Sequence, residues 1–248
     1  MAKSKHYYIR RIHRYMGVFL GVQFLFWTIG GLYFSWTNID EIHGDFQHKA
    51  TPHLSGNFNF VSPGGILQSA SNKPDFINSI QVIGILQKPF YSIIYTATGK
   101  EFKILADAQT GQIRKPITKD EAVNIAAASF NGAPTVTSVE YLTTTNGHHE
   151  YREKPLPAWA VTFNHPTGTT VYVSADFGRV ESFRNNKWRI FDFLWMMHTM
   201  DYQQRDNMNN WLLRTFSIVG LLTILSGFVL FWSSSKWRRK KSNCGITQ

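Results

Sequence analysis

Residues 99–114, GKEFKILADAQTGQIR, and residues 166–181, PTGTTVYVSADFGRVE, superpose at an offset of 67 that lays Ala108 on Ala175, Gly111 on Gly178 and Ile113 on Val180. Working outward, an alternating strand precedes each stretch (90–96 and 159–163), and an edge-forming run precedes that (77–85 and 136–143). Each copy opens on a short helix. In the second, Thr118 caps with Glu121 three positions on, the apolar residues Ala122, Val123, Ile125, Ala126 and Phe130 follow, and Asn131-Gly132 ends it. In the first, Ser62-Pro63 leads into Ile66, Leu67 and Ala70, with Pro74 beyond. The expected unit is helix, strand, strand, turn, strand, in residues 60–117 and again in 118–186. One amphipathic helix on three antiparallel strands buries one sheet face and gives a small α+β core. Asp107 and Asp176 read as turn residues, with Gly111 and Gly178 supplying positive φ. The stretch 146–157, with His148, His149 and Glu150, separates the copies in length and reads as an exposed polar loop, with metal binding as the alternative.

Charge places this pair of repeats. The net charge is +10, and ten of the 26 basic residues sit in the two ends: Lys3, Lys5, Arg10, Arg11 and Arg14, then Lys236, Arg238, Arg239, Lys240 and Lys241. The remaining 16 balance 16 acids, so the excess marks the flanks of a membrane protein and excludes nucleic-acid binding. Each basic end abuts an apolar run, 15–36 or 211–232, long enough at 1.5 Å per residue to cross a bilayer. Aromatic residues Tyr33, Trp36, Trp211, Phe231 and Trp232 mark the boundaries, and Arg214 snorkels from the first turn of the second run. A cleaved signal peptide is the rival reading of the first run; its length and its Phe34-Ser35-Trp36 end favour a retained anchor. The positive-inside bias puts tails 1–14 and 233–248 in the cytoplasm of a bacterial inner membrane and everything between the spans outside. The fold class expected is therefore a membrane protein of α+β type, two transmembrane helices flanking an extracytoplasmic domain of two repeats. A linker (37–59) and an interfacial amphipathic segment (187–210) complete the division. The single cysteine, Cys244, falls in the reducing cytoplasm, which excludes an intramolecular disulfide.

The repeat with its Asp107-Ala108-Gln109-Thr110-Gly111 turn resembles a PepSY domain. The flanking helices resemble the PepSY-associated transmembrane family, through Arg11-Ile12-His13-Arg14-Tyr15-Met16-Gly17 in the first helix, Leu194-Trp195-Met196-Met197-His198-Thr199 ahead of the second, and the small pairs Val219-Gly220 and Ser226-Gly227. Some larger members of that family have about four helices and act as ferric-siderophore reductases using haem held by helix histidines. The resemblance thus implies haem b, a ferric siderophore as substrate, an external electron donor, and a homodimer or membrane partner to make four helices from two. It implies cofactor-binding roles for His13 and His198, and His43, seven residues past Trp36 on the outer side, is the third candidate. The alternative is a non-enzymatic anchored module that binds or regulates an extracytoplasmic partner such as a peptidase.

The residues themselves add less. His13, Gly17 and Gly21 fall at i, i+4 and i+8 on one helix face, where the glycines suit helix packing, as do Gly220 and Gly227. Bis-histidine haem needs two imidazoles at one depth, and the second helix has none at its cytoplasmic end. His13 would pair with His13 of a second copy or with His6, while His43 and His198 would meet on the outer side. Met196 and Met197 offer thioether ligands, though methionine is more often packing filler. No G-x-S-x-G, H-E-x-x-H, phosphate loop or dinucleotide fingerprint occurs, so no intrinsic NAD or flavin site and no metal site is expected.

Overall fold

The computed structural model describes residues 5–50 and 53–234. The basic tail from Lys236 to Lys241, Lys3 and Cys244 lie outside the described residues. The chain divides into two compact units, Asn38–Ile190 and a unit built from the two chain ends, Met1–Thr37 with Phe191–Gln248.

The first unit is α+β. Two short helices, α2 (Ile39–His43) and α3 (Pro63–Gln68), precede a sheet of β1 (Phe76–Ile85), β2 (Lys88–Ala97), β3 (Lys100–Asp107) and β4 (Ile113–Arg114). Then α4 (Lys119–Ser129) precedes a second sheet of β5 (Thr135–Leu142), β6 (Ala158–Asn164), β7 (Thr170–Ser174) and β8 (Val180–Arg184). Both sheets are antiparallel and run in simple chain order. Each has four strands, not the three expected, because the repeated stretch supplies strands on both sides of its turn, β3–β4 and β7–β8.

The duplication extends to individual hydrogen bonds. The turn amide of Gly111 donates to Asp107 O at 2.9 Å, and that of Gly178 to Ser174 O at 2.8 Å. Ala108 N donates to Pro89 O and Ala175 N to Pro157 O, at 3.1 and 3.0 Å. Val61 N donates to Ala108 O and Ile117 N to Ala175 O, tying the entry to each helix onto its own turn. Even the irregularities match, a bulge between Ile77 and Ser79 in β1 and another between Val136 and Ser138 in β5. A bulge adds one residue and local twist to an edge strand, which hinders pairing with foreign strands.

Where the copies differ is in their helices. Helix α4 carries the expected capping box, with Glu121 N donating to Thr118 Oγ1 and Thr118 N to a Glu121 carboxylate oxygen, whereas Ser62 makes no side-chain cap for the shorter α3. Leu67 and Ile66 of α3 cover one face of the first sheet, over Tyr91, Ile93 and Ala106. The other face of that sheet, through Ile85, Phe90 and Leu105, joins Ile125 and Ala126 of α4 and Val161, Val171 and Val173 of the second sheet in one core. The far face of the second sheet is closed by the stretch 146–157. Tyr151 there is 0% exposed, stacked 4.5 Å from Tyr172, and Leu156 packs beside them. The polar composition of this stretch suggested an exposed loop; one buried tyrosine makes it a cover for a sheet face that would otherwise be bare.

The second unit is helical. It contains α1 (Lys5–Trp36), the end of α5 (Asn186–Thr199) and α6 (Trp211–Ser234). Two helical stretches, Tyr7–Trp36 and Trp211–Ser233, are long and apolar enough to cross a membrane. Helices α1 and α6 pack through Phe19 against Phe216, with ring centroids 5.2 Å apart, and through Phe24 at Gly220.

Candidate functional site

His13 on α1 faces α6. Its Nδ1 lies 2.8 Å from Ser226 Oγ, and its Cε1 lies 3.3 Å from where a Cβ on Gly227 would sit. Gly220 and Gly227 thus serve helix packing, with Phe24 and His13 resting in the spaces they leave. Gly17 and Gly21 do not approach α6: a Cβ on either would meet nothing within 4 Å. The i, i+4, i+8 spacing that put them with His13 hides a drift of 40° per step, enough to turn the glycines away from α6.

His198 sits near the end of α5 in an aromatic enclosure. Its ring centroid lies 5.8 Å from that of Trp27, 6.0 Å from Phe34 and 6.3 Å from Trp195, the last stacked in parallel. Its Nδ1 is buried without a hydrogen-bond partner. The end of α5 is held by α1: Gln23 Nε2 donates to Met197 O at 2.8 Å and Trp27 Nε1 to His198 O at 2.9 Å. The last carbonyls of a helix have no partners of their own, so these two side chains act as a C-cap delivered from another helix. The sequence carried a signal for this. An amide inside an apolar run is costly unless paired, and Gln23 is 8% exposed.

The turn after α5 is equally ordered. Asp201 accepts from the backbone amides of Gln203, Gln204 and Asn207, and Arg205 pairs with the buried Asp192. Burial alone would raise the Asp201 pKa, but these amide bonds outweigh it and hold the carboxyl below its ordinary value. Within the stretch 187–210 the apolar end of α5 packs along α1 through Phe191, Trp195 and His198, and an Asp-centred turn follows.

His43 ends α2, exposed, and belongs to the α+β unit, whereas His13 and His198 belong to the helical one. His13 and Trp27 are 14 positions apart on α1, about 21 Å along its axis. His13 and His198 therefore cannot ligate one iron. Among the described residues no cluster of three or more His, Cys, Asp or Glu can hold a metal ion.

In the α+β unit several charged groups hold turns and caps. Asp107 Oδ1 accepts from the amides of Gln109 and Thr110 at 2.8 and 2.9 Å. Burial would raise its pKa, but those bonds win and lower it. Glu121 behaves likewise, burial opposed by Arg114 and by the amide of Thr118, with a net lowering. Lys103 reaches Asp176 at 3.0 Å and Arg179 Nη2 donates to Gln81 Oε1 at 3.0 Å, both linking the first sheet to the second turn. Glu150 is the hub of the cover. It accepts from Tyr172 at 2.7 Å and from Arg189 through both carboxylate oxygens. Burial, followed by the Glu150 charge and hydrogen bond, pushes the Tyr172 pKa up, so this phenol stays a donor at any physiological pH.

No curated protein and no solved structure matches the chain. Residues 116–183 match the model of a family described as the peptidase propeptide and YPEB domain, PepSY. That span runs from the entry of α4 to the end of the second sheet, and this half of the α+β unit is a PepSY domain.

Proposed function

We propose that the chain is a membrane-anchored module whose α+β unit, held outside the cytoplasm of a bacterial inner membrane between two spans with both tails inside, binds and regulates a protein partner there. The observation carrying this reading is the PepSY domain at 116–183 within a chain bearing two bilayer-length helices. The matching hydrogen bonds at Gly111 and Gly178 support reading residues 60–117 as a second, PepSY-like copy. Strands β1 and β5 each end a sheet, and both expose apolar side chains there: Phe76, Ile77 and Val82 on one, Val136 and Tyr141 on the other. Exposed apolar side chains on a free edge suit a protein surface better than water. A photo-crosslinking residue in place of Val82 or Tyr141 in intact membranes is expected to give a discrete adduct with one other protein, absent when the label replaces Leu222 on α6. Labelling from neither strand, or adducts only between copies of the chain, refutes it.

The second reading is a redox protein binding haem b, passing electrons from an external donor to a ferric siderophore, as a homodimer or with a membrane partner that completes four helices. The unpartnered Nδ1 of His198 in its aromatic enclosure favours it. Purified chain from haem-supplemented cells would then show a Soret band that His198→Ala or His13→Ala diminishes. A featureless spectrum removes this reading and leaves the first intact.

A further inference from the structure

Within the α+β unit a cleft of about 530 Å³ opens where the β1–β2 hairpin of the first half meets the end of α4 and the Phe177–Gly178–Arg179 turn of the second. Its size is that of a small-molecule site. The apolar lining comes from both halves, Ile83 and Ile85 from β1, Ile125 from α4, and Phe177 and Val180 around the turn. The ionisable lining has one sign. His48, Lys49 and Arg179 border the cleft, and no Asp or Glu does, in a chain segment that is otherwise balanced in charge.

These groups are positioned. Lys49 N donates to Ser129 O at 2.8 Å, fixing that backbone at the mouth. The His48 ring packs edge-on to Phe183 at 5.1 Å, and the Arg179 guanidinium is oriented by Gln81. At the rim the two-residue turn Leu86-Gln87 has φ of 48° and 67°, a conformation for which glycine or asparagine is the relaxed choice. Side chains are present there at a conformational cost, and both line the cleft.

We propose that this cleft binds a small amphipathic carboxylate, its apolar body on Ile85, Ile125 and Val180 and its charged end toward Lys49 and Arg179. An apolar floor selects against a fully hydrated anion such as phosphate, and a one-signed basic rim selects against neutral and cationic analogues. The site requires no protein partner, so it stands or falls apart from the partner-binding reading.

The test uses the full-length chain in lipid nanodiscs, empty nanodiscs as blank, titrated with 4-phenylbutyrate and with 4-phenylbutanol by calorimetry. Saturable binding of the acid is expected, with the alcohol at least about tenfold weaker, the worth of one charge-assisted contact. Lys49→Gln combined with Arg179→Gln should erase that preference. Gln87→Glu, at the exposed rim, should weaken the acid and spare the alcohol. Ala128→Trp, from an exposed α4 position lining the cleft, should abolish both. Equal affinity for acid and alcohol, acid binding unchanged by Gln87→Glu, or no saturable heat up to about 10 mM, where a specific site would be filled, overturns the proposal.

Discussion

Replacing Gly178 with alanine should be among the most damaging single-methyl changes in the α+β unit. The residue has φ of +62°, and a Cβ there would lie 3.0 Å from Ile117 Cδ1 and 3.2 Å from Ile125 Cδ1, both side chains in the main core. The left-handed backbone costs an L-residue about 1–2 kcal/mol. Forcing a methyl into packed side chains adds about 1–3 kcal/mol. Gly99 separates the two effects, since its φ is +73° but a Cβ there meets nothing within 4 Å. Gly99→Ala should therefore lose about 1–2 kcal/mol, from strain alone, and Gly178→Ala about 1–3 kcal/mol more, from overpacking. Gly111→Ala, at φ +75° with one contact at 3.3 Å to Val61, should fall between them. In a unit of this size 1 kcal/mol moves the thermal midpoint by about 2–4 °C, so the ranking is readable by tryptophan fluorescence or near-ultraviolet circular dichroism of the detergent-solubilised chain. If Gly178→Ala is no worse than Gly99→Ala, the packing of that turn against α4 is wrong, and with it the equivalence of the two turns.

Gln23→Leu should loosen the end of α5 by about 1–3 kcal/mol, because the carbonyl of Met197 is left without its donor, and faster hydrogen exchange or proteolysis within 196–205 would report it. Gln23→Asn, too short to reach, should behave the same way, whereas unchanged protection would refute the cap. The carboxyls of Asp107, Glu121 and Asp201 all have lowered pKa values in the fold. A depressed folded pKa gives stability that is present above the unfolded value and is lost as pH falls through the folded one, so the urea midpoint should hold near neutrality and decline below about pH 4. Glu121→Gln should flatten part of that decline; a midpoint insensitive to acid would contradict these hydrogen bonds. Tyr172→Phe should destabilise by about 1–3 kcal/mol, since it leaves Glu150 short of a buried donor, and denaturant titration measures it.

The turn DAQTG and its partner at 174–178 were legible because glycine at positive φ and a first residue, Asp107 or Ser174, whose side chain accepts turn amides are local requirements, written in a few adjacent residues. The capping box of α4 was legible for the same reason. The fourth strand of the first sheet was not: β4 is two residues long, and so short a strand has no periodicity to detect. Tyr151 was hidden by its neighbours, since His148, His149 and Glu150 give the stretch a surface composition while one aromatic side chain does the burying. Gln23 is a polar residue inside an apolar run, but its partner Met197 lies 174 positions away, and no local pattern names such a partner. For His13, His43 and His198 spacing was informative only along one helix. It placed His13 near Gly17 and Gly21, whereas the rotation that turns His13 toward Ser226 and leaves the glycines bare follows from packing between helices.

One core joins Ile85, Phe90 and Leu105 of the first sheet to α4 and the inner face of the second. Helix α4 is therefore shared property, and the PepSY span 116–183 ends in the middle of a packed interior. Excised at those limits, it would carry an uncovered patch where the first sheet had been, and so would whatever remained behind. The two halves should melt in one cooperative transition, and a cut between residues 114 and 118 should yield two insoluble pieces instead of two domains.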